Sequence, residues 1–527
     1  MKIKLAVKYF IKYSLVRYIL NFKKNDNKNY EFENIKNYWI NNNLNNSNEE
    51  KVILISTLRD AHTLSNKLFS IIGMLGTKYK LKVIAVSDYG QSKAVYFLRN
   101  YCSNIKVESI YSFKSSLFLH FKTLVFIIRN FKEIIRLNDI KINNNNIADL
   151  VYDEYLRVTG LPTIKKGDLL YFSIVYNGVY LYYRYCELYN KYKITDVVLG
   201  LDIYTKAMHI RAGAEFGAYK WQTYNFNKPM SVRRTPCTFN YTFRPLIYEQ
   251  KHSNLVDKLY KKDEVESLFD KIFKQRFSGN QNSSFHDKGV NDANLDKVND
   301  FDKLISSLGS FYNPNHKTIV IFAHVFVDAV TSTGWSVYKD YYIWLIETLK
   351  ICKLLDNVNI LVKPHPLEKK YKLVTTAKEV VKKFNLDFNS KIGIIDNKFS
   401  NLNIINLSNV ILTQTGSIGL EASSKGKIVI CASANWYELA NSVFKAQTLQ
   451  QYKNLILNFD SLSINEDQIY EAKKCFIWNS YLMHADVDFV SSDIGKYDFK
   501  SLDQLYKNAR SLKSQPVYKF IETNEYN

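Results

Sequence analysis

Residues 363–366 read Lys-Pro-His-Pro, and residues 413–422 read Thr-Gln-Thr-Gly-Ser-Ile-Gly-Leu-Glu-Ala. Prolines on both sides of His365 stiffen its loop, which suits a side chain held in one place. An imidazole with a pKa near neutrality can donate to a phosphate oxygen or protonate a leaving phosphate, and Lys363 adds a cation beside it. The turn Thr415-Gly416-Ser417 opens a helix, where free backbone N–H groups accept a phosphate and glycine permits close approach. Glu421, one turn into that helix, offers a carboxylate to ribose hydroxyls. The same residues also fit a Ser417 N-cap with Glu421 completing a capping box. His324 and Asp328, in Ala-His-Val-Phe-Val-Asp at 323–328, form a third group, with Asp328 equally able to cap the next turn of chain.

These residues share one feature: each group follows a short run rich in branched apolar residues. The pattern predicts strands at 318–322, 358–362, 392–395, 410–413 and 428–432, with helices at 341–355, 371–384 and 417–424 between them. Such alternation makes a doubly wound α/β domain, whose ligands sit beyond the carboxyl ends of the strands. The three loops should therefore converge on one crevice. Upstream, strands are expected at 51–57, 81–87, 168–176 and 195–201, with helices at 63–79 and 204–216. The expected organisation is a basic segment and Asn-rich connector over 1–50, a Rossmann-like domain over 51–245 and a connector with a polar loop over 246–315. A second Rossmann-like domain over 316–460 and a helical tail over 461–527 complete it.

The chain has 527 residues, 46% of them apolar, enough core for two or more domains. Six cysteines form no CxxC pair, so neither a zinc ribbon nor a disulfide framework fits. The formal charge of +22 favours polyanionic partners. Nucleic acid is not expected, because no basic stripe with stacking aromatics forms a recognisable module. Residues 1–24 carry seven Lys or Arg and no acid, interleaved with apolar residues. They suit an amphipathic helix lying on an anionic leaflet, or a basic helix packed on the protein. They lack the apolar core and cleavage site of a secretory signal, so the expected location is the cytoplasmic face of the membrane. The apolar stretch 112–137, broken by Lys122 and Arg129, reads as a helix either buried between domains or assisting membrane contact.

The motif VKPHP followed by TGSIGLEASSKGKIVI, with FAHVFVDAV upstream and IADLVYDEYLRVTGLPT at 147–163, resembles the capsular and surface polysaccharide glycosyltransferases. That group has GT-B architecture, includes bacterial Kdo transferases and is distantly similar to polysialyltransferases. The resemblance spans roughly 147–480. It implies two Rossmann-like domains facing a cleft and a nucleotide-sugar donor whose phosphate meets His365 and the 415–417 turn, with Glu421 near the nucleotide sugar. Lys363 and His324 join that donor set.

A transferase of this kind also needs a group to activate its acceptor, a glycan or glycolipid. Asp60 or His62, just after the first strand, can deprotonate a hydroxyl, although Asp60 equally fits a helix N-cap. Asp153, Tyr155 and Arg157 are acceptor-recognition candidates, since arginine holds carboxylates bidentately. The Asp486-Val487-Asp488 triplet matches the metal motif of the other major glycosyltransferase fold, but it falls in the tail rather than after a strand, so no metal or cofactor is expected. The rivals are a nucleotide-sugar 2-epimerase and a CDP-polyol phosphotransferase, and a CMP-linked donor is among the candidates.

Overall fold

The computed structural model describes residues 33–42, 49–56, 62–87, 95, 98–110, 113–136, 140–165, 167–199, 203–222, 232–239, 248–277, 300–331, 334–437, 440–482, 506–507 and 509–511. The basic segment 1–24, Asp60, the polar loop 278–299 and the triplet 486–488 lie outside these residues. The described residues fall into two compact units. The first is drawn from within Met1–Tyr155, Lys165–Thr242 and His484–Asn527, the second from within Leu156–Ile164 and Phe243–Met483.

The first unit contains α1 (Glu33–Asn41), β1 (Glu50–Ser56), α2 (His62–Lys78), β2 (Lys80–Ser87), β3 (Ile105–Ser109), α3 (Phe113–Arg129) and α4 (Phe131–Arg136). A small hairpin, β4 (Lys141–Ile142) with β5 (Asn145–Asn146), precedes α5 (Ala148–Thr159), whose residues from Leu156 belong to the second unit, then α6 (Leu169–Tyr192), β6 (Asp196–Leu199), α7 (Met208–Glu215), β7 (Tyr219–Gln222) and β8 (Arg233–Pro236). Its sheet has the order β3-β2-β1-β6-β7-β8. All pairs are parallel except β7 with β8. Val83 and Ile84 of β2 lie beside Ile53 and Leu54 of β1, and all four are buried, as a strand covered on both faces requires.

Two sequence expectations fail here. Residues 33–41, expected to lie in a connector, form a helix because Ile35, Tyr38 and Trp39 recur at helical spacing and bury against α2. The approach is close: a Cβ on Gly73 of α2 would lie 2.6 Å from the Trp39 ring. Residues 168–176, expected as a strand, begin the 24-residue helix α6. Asp168 caps it, its carboxylate accepting from Leu170 N–H at 3.0 Å. The branched and aromatic run there is ambiguous by itself, and burial over the whole helix decides the outcome.

The second unit contains α8 (Gln250–Leu259), α9 (Lys262–Phe277), α10 (Phe301–Leu308), β9 (Lys317–Phe322), α11 (Tyr341–Cys352), β10 (Val358–Lys363), α12 (Ala377–Phe388) and β11 (Gly393–Ile394). Then come α13 (Asn401–Leu407), β12 (Val410–Thr413), α14 (Ile418–Ser423), β13 (Ile428–Cys431), β14 (Phe444–Lys445), α15 (Leu449–Leu457) and α16 (Glu466–Ile477). The sheet order is β11-β10-β9-β12-β13-β14, parallel throughout. The helix expected from 371 starts later, because Thr376 and Glu379 form a capping box that sets its first turn. Both units are thus Rossmann-like doubly wound domains. In each the first strand stands at the centre, and the direction of winding reverses beside it, between β1 and β6 and between β9 and β12.

Candidate functional site

In the second unit the reversal between β9 and β12 opens a crevice at their carboxyl ends. His324 follows β9 and Gln414 follows β12, so neighbouring strands bring together residues ninety positions apart. The Gln414 backbone N–H donates to His324 Nε2 at 3.3 Å, and the Thr413 hydroxyl lies 3.2 Å from the same nitrogen. Nε2 is therefore an acceptor, and Nδ1 carries the proton in the neutral ring. Tyr341 stacks on this imidazole with centroids 4.4 Å apart, and its hydroxyl lies 3.3 Å from that of Thr415. Tyr341 is fixed in turn by its helix cap. Asp340 accepts from Ile343 N–H at 2.8 Å, and its other oxygen accepts from the Thr163 hydroxyl at 2.6 Å.

His365 follows β10. Leu367 N–H donates to its Nδ1 at 3.1 Å, so the histidine caps the short 3-10 turn Pro366–Lys370 and keeps its proton on Nε2. Burial pushes the His365 pKa down to about 4; Asp328 pulls it up and Lys363 pushes it down. Burial, with His365 nearby, holds His324 down to about 3. The near-neutral imidazole expected from sequence is thus replaced by two uncharged rings, each a hydrogen-bond donor at one nitrogen. Next to Asp328 stands Ala329 with φ 50°, in the left-handed region, where a non-glycine residue carries about 1–2 kcal/mol of strain. Such strain collects at functional loops.

The 415–417 turn is built otherwise than the capping-box reading proposed. Ser417 makes no side-chain cap bond. Its hydroxyl instead donates to Glu421 Oε1 at 3.2 Å. Arg276, from the end of α9, donates to that oxygen through Nε at 2.7 Å and reaches the Ser417 hydroxyl at 3.3 Å. Glu421 is buried in this ion pair. Lys363 is also buried, and its ammonium donates to Asn397 and, at 3.4 Å, to the Pro364 carbonyl. Among the described residues, the Gln414 side-chain nitrogen and both amide atoms of Asn435, beyond β13, are buried with no hydrogen-bond partner. Buried amides left this way cost about 1–3 kcal/mol each, a cost that a bound polar ligand would remove.

The remaining sequence candidates are not brought to this crevice by any described contact. Asp60 lies outside the described residues, and His62 is placed only as the first residue of α2. Asp153 and Tyr155 are buried in α5, and the Tyr155 hydroxyl donates to Asp168 at 2.7 Å. That burial and the adjacent carboxylate push its pKa far up. Arg157 is exposed, its guanidinium 4.1 Å from the centre of the Tyr371 ring. Arg276, Tyr341, Gln414 and Asn435 went unread as sites. Arg276 precedes Glu421 by 145 residues with no motif around it, whereas Gln414 and Asn435 could have been found by reading every strand end.

No protein-family model matches the chain, and no curated protein does. Among solved structures it is similar to two KpsC structures of Thermosulfurimonas dismutans. The β-Kdo 2,4 transferase is 11% identical at TM-score 0.32, over 59% of this chain and 87% of that one. The β-Kdo 2,7 transferase is 16% identical at TM-score 0.30, over 62% and 89%. A UDP-GlcNAc 2-epimerase from Neisseria meningitidis is 13% identical at TM-score 0.25, over 82% and 99%. The assignment of both units as Rossmann-like rests on their own strand order.

Proposed function

We propose that this protein is a metal-independent glycosyltransferase. Its second unit grips the diphosphate or monophosphate of a nucleotide sugar, and the sugar passes to a surface or capsular glycan or glycolipid. The observation that carries this reading is the set of donors beyond the carboxyl ends of β9, β10, β12 and β13: two uncharged histidines, the Thr415-Gly416-Ser417 turn and the unpaired amides of Gln414 and Asn435. All belong to the loops where doubly wound domains bind nucleotides. Donors fixed before the ligand arrives stabilise negative charge on a leaving phosphate without reorganising. His365 Nε2–H supplies one such donor and Thr415 adds a hydroxyl, while the Ser417 hydroxyl and Arg276 are held by Glu421 beside the turn. The resemblance of the VKPHP and TGSIGLEA motifs to polysaccharide transferases supports the same assignment. Acceptor activation is assigned to Asp60 or His62, with the exposed Arg157 on the acceptor side; Asp153 and Tyr155, buried in α5, are not retained. The basic residues of 1–24 hold the enzyme at the inner face of an anionic membrane.

The test is a panel of CMP-, UDP- and CDP-linked donors, assayed with and without a chelator, for wild type and His365→Asn. Asparagine keeps an acceptor for Leu367 N–H but has no equivalent of Nε2–H, so the turn survives and transfer or donor hydrolysis should fall at least a hundredfold. Wild-type turnover in this variant, or loss of wild-type activity with chelator, would refute the assignment. Conversion of a donor to its soluble epimer, with no transfer, would establish the 2-epimerase instead.

A further inference from the structure

Helix α3 is apolar on two faces, and among the described residues only one of them is covered. Leu119 and Thr123 are buried, Phe126 meets Tyr183 of α6 edge-on at 6.5 Å, and His120 stacks on Tyr180 at 4.6 Å. On the other side Leu117, Phe121, Leu124 and Ile128 recur at i, i+4, i+7 and i+11, which puts them in one stripe. Their exposures are 59%, 66%, 49% and 73%, with Phe118 beside them at 69%. The apolar surface continues into α4, where Phe131 stacks on Phe172 at 5.6 Å, next to exposed Leu169. A helix apolar all round normally lies within a core, so exposure of five large side chains requires a partner.

Charge identifies the occupant. Residues 113–136 contain five Lys or Arg against one acid, the half-buried Glu133. Lys122 and Arg129 lie at the margin of the stripe, and both are exposed. Among the described residues no helix is long and apolar enough to cross a membrane. An apolar stripe one helix wide, bordered by cations and free of carboxylates, matches the boundary between headgroups and acyl chains of an anionic bilayer. We infer that the stripe Leu117–Phe118–Phe121–Leu124–Ile128 of α3 docks the first unit in the plane of an anionic membrane, its side chains entering the acyl boundary while Lys122 and Arg129 meet lipid phosphates. This inference is drawn from α3 alone and does not depend on the chemistry assigned to the second unit.

The full-length protein is tested with vesicles of phosphatidylglycerol and phosphatidylethanolamine against vesicles of phosphatidylcholine alone. Wild type should bind the anionic vesicles, less so in high salt. The variant Phe118→Glu/Phe121→Glu/Ile128→Glu should bind at least tenfold more weakly with an unchanged thermal midpoint. As an independent readout, Phe121→Trp should gain tryptophan quenching by brominated acyl chains in anionic vesicles, beyond that of wild type. No added quenching, or full binding by the triple-Glu variant, would overturn the inference. So would dissociation of a wild-type dimer into monomers in that variant, because the stripe would then be covered by a second copy of the chain.

Discussion

The hydroxyl of Tyr437 donates to the carbonyl of Gly416 at 2.8 Å, and the same ring packs over Gly419 so closely that a Cβ there would collide with the hydroxyl. The loop after β13 thereby clamps the turn after β12, and Gly419 makes room for the clamp. Tyr437 is fully buried, and burial drives its pKa far up, so it remains a neutral donor. Tyr437→Phe should cost about 1 kcal/mol for the lost bond. Gly419→Ala should cost about 1–3 kcal/mol by overpacking. Urea midpoints decide the matter; an unchanged midpoint for the alanine variant would show that the ring gives way freely.

At Gly416 the issue is close approach. A Cβ there would stand 3.0 Å from the Thr413 hydroxyl and 3.4 Å from His324 Cε1. Gly416→Val should therefore press on both neighbours and block a phosphate from the turn. Wild type should gain about 2.7 kcal/mol of stability at nucleotide concentrations a hundredfold above Kd. The valine variant should gain none. Equal thermal shifts in the two proteins would move the phosphate grip elsewhere.

Arg276 and Glu421 should behave as a coupled pair. Removing the arginine leaves a buried carboxylate without its cation, which costs about 3–5 kcal/mol. Arg276→Ala/Glu421→Gln should be more stable than Arg276→Ala alone, because the second change removes the stranded charge. A double-mutant cycle with no coupling would mean that solvent already screens the pair.

The two histidines give stability a defined pH dependence. Their folded-state values, about 3 and about 4, lie below the ordinary histidine value of 6.5. Unfolding therefore takes up protons between these limits, so stability is complete above about pH 6.5 and declines as pH falls toward 4. Urea midpoints measured from pH 8 to pH 4 check that slope, and a stability that stays flat from pH 6.5 to pH 4 would show that the folded protein does not hold the rings neutral.

Asn435→Ala should weaken nucleotide binding about tenfold without loss of stability, because both amide atoms lack partners in the fold. A fall in the thermal midpoint with unchanged nucleotide affinity would make Asn435 a structural residue.

Local sequence determined the elements of the second unit, because branched runs such as 319–322 and 410–412 are buried on both faces and their apolar character is continuous. It also placed His324, His365 and the 415–417 turn at strand ends, where parallel sheets bind ligands. Local pattern failed at α1 and α6, where burial by distant partners, not propensity, chose the helix. Only the tertiary structure decided what the site residues do. Packing between loops half-buried both imidazoles and lowered their pKa values, Arg276 took Glu421 across 145 residues of sequence, and Asn397 claimed Lys363. The exposed stripe of α3 was likewise invisible to composition, because its two apolar faces look alike in sequence and differ only in that α6 covers one of them.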